Sequence, residues 1–566
     1  MSSPSRITPD RAVLVGAVLA LLAYIQDLRY DFILDDVPLI ALNDSILSWR
    51  DWKLAFLRDI SAMKGPTMPL AFTAIHYRPV YKLWHLLNVQ LFGFIVPWWH
   101  LSSLLLHFGV IFLVYQLGVE LMKDRWAAAL AALLFAYHPI HVESVAYITA
   151  SSDILLTLFA LLSCLAYFRF REEGASPLYF IASVFAAALA MMSKETAVIF
   201  PWLLVAYEAL REPRPGIKQD WKRFAWTVPF FAVVAAYVAV RTLLFGPNAG
   251  PGPGTSRLAA LLDVPLVLVV YLHNLLWPFR LSFFYPAEWS SQWTLLKGVA
   301  AVMAMGAAFF LWQSYRDRRG VRLQILWAAI LFVPAVLGVS VFVREDWVHD
   351  RHMYLASVPV CLIAAAFLTD PRWPRKAAVV VSSAILAILL VTTAFQVPKF
   401  SDNVTIYASA LKVAPHSYLL HSFYAGGLMS YGKTEEGLRE YKLCTEMAPK
   451  SSSAYEHYAS ALAHIGRSEE AMAEFEKALE WSPGPTAVRA HLLSEIAELE
   501  LQRSEFPAAA DHLREAVQLA PQALTYHSLF SQALRSLGRT QEADEEKRLE
   551  AEIQQRYFQD MRASRN

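Results

Sequence analysis

Two adjacent carboxylates, Asp35 and Asp36 in "YDFILDDVPLIALND", stand just beyond the first apolar run of a 566-residue chain. A carboxylate beside a bilayer suits one task well, which is to take the proton of a hydroxyl that attacks a lipid-borne electrophile. Further along, Arg78 in "HYRPVY", Lys194 in "SKE" and Arg351 in "REDWVHDRHMYLAS" are cations of the kind that hold a leaving phosphate, arginine by chelating two of its oxygens. His138, His141 and Glu143 in "YHPIHVES", with Asp153, Glu195 and Tyr354, could position a substrate around them. The chemistry that wants this mixture is transfer of a sugar from a polyprenyl phosphate to a hydroxyl. The phosphate lies at the membrane surface, the sugar outside it and the tail in lipid. Asp35 is then the expected base, and Asp36 orients it or the acceptor. A divalent metal held by His138, His141 and a carboxylate is sterically conceivable, although His-Pro-x-His is not a standard helix-face spacing.

Each of these residues also has a plainer role. Asp35 and Asp36 suit the first turn of a following helix. The histidines and Glu143 could satisfy one another by hydrogen bonds. Arg351 could reach for lipid head groups, and Lys194 with Glu195 could form a structural pair.

Positioning such groups requires a membrane scaffold, and the composition supplies one. The chain is 56% hydrophobic and 17% charged, too apolar for an ordinary soluble protein, and its net charge of +1 offers no basic field for nucleic acid. Three dispersed cysteines make neither a disulfide framework nor a zinc site. Apolar runs are expected to span at 11–27, 97–121, 126–138, 153–169, 177–193, 196–210, 224–245, 293–314, 323–343, 353–369 and 377–397. The first reads as an uncleaved signal anchor. Five short basic loops, at Lys123/Arg125, Arg169/Arg171, Arg211 to Arg223, Arg316 to Arg322 and Arg372 to Lys376, are expected on the cytoplasmic side. An even number of crossings between them requires the segment 259–279, with Pro265, Asp263 and His273, to be re-entrant or interfacial. Eleven spans follow, with the loop 28–96 and everything after 397 outside.

The last third has a different period. Pro415, Pro449, Pro483 and Pro521 are 34, 34 and 38 residues apart, and Gly432, Gly466 and Gly538 keep the same register. This is the tetratricopeptide pattern of stacked helix pairs. The second unit carries it best, in Tyr455, Tyr458, Ala459, Gly466, Ala471, Phe475, Ala478 and Pro483. Four units over about 416–555 would form a solenoid whose groove binds a peptide or protein. The expected fold is all-α, a polytopic helix bundle over 1–399 followed by a repeat domain over 400–566.

Six blocks in order, "FILDDVPLIALND", "YRPVYKLWHLLNVQLFG", "WHLSSLLLH", "HPIHVESVAYI…D", "SKETAV" and "DRHMYLASV", together with the repeats, resemble the transmembrane and tetratricopeptide-repeat-containing O-mannosyltransferases. The resemblance implies a GT-C-type glycosyltransferase, a first-loop aspartate as base, dolichyl- or polyprenyl-phosphate mannose as donor and a protein hydroxyl as acceptor. It places the chain in a bacterial inner membrane or an endoplasmic reticulum membrane, with the repeats periplasmic or lumenal. Where the family tends to have Gly-Arg-x-Asp, this chain reads "ASSD", with Ser151 at the arginine's place, which leaves the phosphate to other cations. Two rival expectations come from other classes. One is a non-catalytic scaffold or assembly factor working through its repeats; the other is a polysaccharide ligase or polymerase.

Overall fold

A computed structural model describes residues 8–59, 76–211, 221–246, 257–285, 294–315, 317–337, 348–484 and 486–563. Helices account for nearly all of the regular structure, and no strand occurs among the described residues. Two compact units result, one built on residues up to Ser409 and the other from Ala410 onward.

In the first unit the helices follow the apolar runs. Five described helical segments are long and apolar enough to cross a membrane: Pro9–Arg29, Val96–Met122, Ile148–Phe170, Trp221–Phe245 and Arg375–Phe400. A sixth passes if Arg125–Tyr137 and Pro139–Ala146, bent by 51° at His138, count as one broken span. Several helices carry proline as their first or second residue, at Pro79, Pro97, Pro201 and Pro229, where the missing N–H would have had no intrahelical partner. The segment expected to be re-entrant forms the helix Arg257–Leu276, interrupted by Pro265; only Val264–Leu276 of it ranks as a shorter apolar helix. Parts of the expected loops, at 60–75 and 212–220, and the ends of the 293–314 and 323–343 runs lie outside the described residues.

The hairpin of Val96–Met122 and Arg125–Tyr137 shows how the bundle is held. Lys123 takes a left-handed conformation, and the Asp124 carboxylate caps the next helix by accepting the N–H groups of Trp126 and Ala127. Gly118 then lies so close to Ala128 that an added Cβ would meet the alanine Cβ at 2.9 Å. Without a hydrophobic force between helices in lipid, such small-residue contact is what draws backbones together.

In the second unit, four helix pairs follow one another: Tyr418–Ser430 with Thr434–Met447, Ser452–His464 with Ser468–Glu480, Ala487–Gln502 with Phe506–Leu519, and Leu524–Ser536 with Thr540–Ala563. Ala459, Ala471, Phe475 and Ala478 are fully buried, as the repeat register requires. The turn within a pair needs a left-handed residue. Gly432, Gly466 and Gly538 provide it with φ of 74° to 80°, and Ser504 takes φ 62° in the third pair. A further regularity links proline to helix. His421, Tyr455 and His527 each reach the carbonyl six residues back, of Pro415, Pro449 and Pro521, at 3.1 to 3.3 Å.

Candidate functional site

The candidate site lies where the first loop meets the chain around residues 143–153. Ile33 to Asp36 form a tight turn that separates the two aspartates. Asp36 is buried and Asp35 is exposed. The Asp36 Oδ1 accepts the Thr149 N–H at 2.7 Å and its hydroxyl at 2.5 Å, and Oδ2 accepts the Ile33 N–H at 3.2 Å. Although Asp36 precedes a helical turn, its side chain makes no capping bond to it, so the plain capping role does not apply. Burial pushes the Asp36 carboxyl up to about 7, against the pull of those three donors. The Asp35 N–H donates to the Tyr147 hydroxyl at 3.2 Å.

The expected cations converge, each bound to one of the expected positioning carboxylates. Arg351 donates Nη1 to Glu143 at 2.6 Å and its backbone N–H at 3.1 Å, and its guanidinium stands 5.9 Å from the centre of the Tyr147 ring. Lys194 bridges both oxygens of Asp153 at 2.7 and 2.8 Å, with both side chains buried. Asp153 sits in the first turn of Ser151–Phe170 and Lys194 just past the end of Leu178–Ser193, so the antiparallel helix hairpin brings them together. Arg78, just before the helix that Pro79 begins, forms a fork to Glu195 at 2.6 and 2.7 Å. Burial lowers the Lys194 ammonium's proton affinity, Asp153 opposes that, and the charges of Arg78 and Arg351 lower it further, so the three cations share one field.

The histidines sit elsewhere. His141 spends Nδ1 on the Phe135 carbonyl and Nε2 on Ser357, both at 2.8 Å; His138 spends Nε2 on the Leu275 carbonyl and accepts the Ile140 N–H at Nδ1. These bonds shape the break between Tyr137 and Pro139. Tyr354 is buried, its hydroxyl 2.6 Å from His107 Nδ1, among the rings of Phe135 and His141. Among the described residues no group of three or more His, Cys, Asp or Glu could hold a metal ion.

Sequence reasoning missed the neutral groups that organise the charged ones. Tyr147 and Thr149 link the two aspartates to the chain beside Arg351, and Tyr81 donates to the Thr149 carbonyl at 2.8 Å. Asn274 and Tyr285 donate to Asp350 at 2.8 to 3.0 Å, and burial followed by the charge of Glu143 pushes that carboxyl up to about 8. The near-doublet in "HVESVAYITASSD" was the available signal, since Tyr147 and Thr149 lie in a block already singled out.

Residues 79–240 match the family described as dolichyl-phosphate-mannose-protein mannosyltransferase, and 452–485 match the tetratricopeptide repeat. The chain thus joins a stretch similar to membrane mannosyltransferases to a tetratricopeptide repeat. The curated relatives it is similar to carry the name protein O-mannosyl-transferase, in line with the resemblance of the sequence blocks. Mouse protein O-mannosyl-transferase TMTC1 is 32% identical over 235 residues, 38% of this chain and 24% of the mouse protein. Its human counterpart is 25% identical over 500 residues, 78% of this chain and 56% of the human protein. The Caenorhabditis elegans protein O-mannosyl-transferase F38B6.6 is 24% identical over 444 residues, 76% and 62% of the two chains. The chain thus spans between about a quarter and about three fifths of these relatives' lengths.

Proposed function

We propose that this protein transfers mannose, or a sugar like it, from a polyprenyl or dolichyl phosphate to a hydroxyl of an acceptor protein at the outer or lumenal face of its membrane. The observation that carries the reading is the exposed Asp35 on a turn anchored by buried Asp36, beside three cations in one field. Asp35 takes the hydroxyl proton as the acceptor oxygen attacks the anomeric carbon. The bond from that carbon to the phosphate oxygen breaks, and the lipid phosphate leaves with the electron pair. Attack opposite the leaving group inverts the anomeric centre. Arg351, Lys194 and Arg78 hold the phosphate, each exchanging part of its carboxylate contact for phosphate oxygens. Glu143, Asp153 and Glu195 keep the cations aimed until then. His138, His141 and Tyr354 support the scaffold from behind. The repeat domain, on the same side of the membrane, presents the acceptor.

The saturation of every cation by a carboxylate favours a second reading, a rigid non-catalytic scaffold working through its repeats. One experiment separates the two. Purified protein in nanodiscs is given polyprenyl-phosphate mannose and a serine- and threonine-rich polypeptide, and hexose addition is measured by mass spectrometry. Transfer by the parent and none by Asp35→Asn supports the enzyme. Absence of transfer with the whole range of lipid-phosphate hexoses supports the scaffold.

A further inference from the structure

The turn that presents Asp35 is strained. Its ends are closed by the Asp36 N–H, which donates to the Ile33 carbonyl at 2.8 Å, and by the Ile33 N–H, which donates to the Asp36 carboxylate. Leu34, the second residue of the turn, has φ +49°. Glycine or asparagine takes that conformation readily; a bulky leucine does not, and it persists only where the surroundings over-determine it. Tyr147 holds the residue after it, through the Asp35 N–H. Leu34 itself is held by Asn403, whose Oδ1 accepts the Leu34 N–H at 2.9 Å across 369 positions of sequence.

Asn403 is a firm anchor. It begins the helix Asn403–Leu411, and the preceding Asp402 accepts the Thr405 N–H at 2.8 Å and the Thr405 hydroxyl at 2.7 Å. The segments before the two partners are tied as well, since Gln26 in Pro9–Arg29 donates to the Ala394 carbonyl in Arg375–Phe400 at 2.9 Å. In sequence, the Asn403 helix is the segment that leads into the repeat domain.

We propose that Asn403 is a positioning residue for Asp35, clamping Leu34 in its left-handed conformation so that the turn presents Asp35 outward while Asp36 stays buried. The inference rests on the reading of Asp35 as the base. Without the clamp, Leu34 relaxes to negative φ, the turn opens and Asp35 leaves its place beside the acceptor. A misplaced base costs rate and leaves donor binding alone.

The test uses the full chain in nanodiscs, with hydrogen exchange of residues 33–36 and steady-state transfer from polyprenyl-phosphate mannose measured in parallel. In Asn403→Ala, exchange at the Leu34 amide speeds about tenfold and kcat falls about tenfold, with the donor KM unchanged. Asn403→Asp keeps an acceptor oxygen and restores both. Leu34→Gly added to Asn403→Ala removes the need for a clamp and brings kcat to within about threefold of the parent. Unchanged exchange in Asn403→Ala overturns the proposal, as does a loss of kcat that neither Asn403→Asp nor Leu34→Gly repairs. If the parent transfers no sugar yet the exchange pattern holds, the clamp of the turn stands and the base assignment falls.

Discussion

The two units of this protein are organised over different distances along the chain. In the repeats, side-chain hydrogen bonds join His421 to Pro415, His421 to Glu440 and Ser422 to His457, which are 6, 19 and 35 positions apart. Around the first loop they join Asp35 to Tyr147, Asp36 to Thr149, Arg78 to Glu195 and Arg351 to Glu143, which are 112, 113, 117 and 208 positions apart. A repeat contacts its neighbours and can be read as a period; a site assembled from distant turns cannot. The difference also predicts where substitutions act on chemistry and where they act on stability alone.

The sharpest contrast is between Asp35 and any repeat residue. Loss of a general base costs a factor of about 10² to 10⁴ in rate. Asp35→Asn should therefore insert and fold at the parental level and lose sugar transfer by that factor, measured with purified protein at saturating donor. Parental activity in this variant would move the assignment to Glu143 or Asp153.

Ion pairs make the next test, because the same chemistry occurs in both units. The Asp153–Lys194 pair leaves each side chain 6% exposed, whereas in Arg467–Glu470 they are 43% and 55% exposed. Lys194→Ala strands a buried carboxylate and should cost about 3 to 5 kcal/mol. Arg467→Ala, whose partner stays solvated, should shift stability far less. Thermal unfolding in detergent reads both. Equal shifts would mean that the Asp153–Lys194 pair is solvated and the site is open.

Burial also sets a pH signature at the first loop. Asp36 has its carboxyl raised from 3.8 to about 7, so the folded state favours the protonated form. That contribution to stability is fully present below pH 3.8 and is lost as pH rises through 7. Relative to Asp36→Asn, the parent should therefore lose stability between about pH 4 and pH 7 and change little above it. A difference that grows with pH would show that the carboxylate form is the one the fold holds.

How much of this was legible follows from the same contrast. The long apolar helices of the first unit were visible as apolar runs and the eight repeat helices as a register of prolines, glycines and alanines, whereas the helix Pro79–Phe92 forms inside the stretch 28–96 expected to be a loop. The charged site residues were visible by type, because ionisable groups near a bilayer are expensive. Their pairing was not. Nothing local in "SKE" says that Lys194 joins Asp153 while Glu195 joins Arg78; that depends on two helices running antiparallel and on where the start of Pro79–Phe92 places Arg78. Tyr147 and Thr149 carry no charge and stood out only as members of a block. His138, His141 and Tyr354 were singled out by type, and the structure engages them with backbone and core partners instead.

Packing in the repeats gives a smaller effect than either ion-pair loss or base loss. Ala471 is fully buried beside Phe475 and Leu462. Residues 410–566 expressed alone should be soluble and helical, since stacked pairs need only their neighbours. Ala471→Trp should lower their stability by about 1 to 3 kcal/mol by overpacking. Unchanged urea unfolding would mean that the register is misplaced.

The smallest expected effect is the most specific to the repeat geometry, because its sign reverses between units. Three of the four turns within pairs use glycine at positive φ, and the third uses Ser504 at φ 62°. A side chain in the left-handed region costs roughly 1 to 2 kcal/mol, whereas glycine loses more chain entropy on folding, by roughly 0.5 to 1 kcal/mol. The steric cost is the larger, so Ser504→Gly should stabilise the isolated repeat unit by up to about 1 kcal/mol. Gly466→Ser, at φ 80° in the neighbouring pair, should destabilise it by a similar amount. Added cavity or overpacking cannot confuse the comparison at Gly466, since nothing lies within 4 Å of the position its Cβ would take. Chemical unfolding of both variants therefore reads the backbone alone, and a destabilising Ser504→Gly would place the third turn outside the repeat pattern.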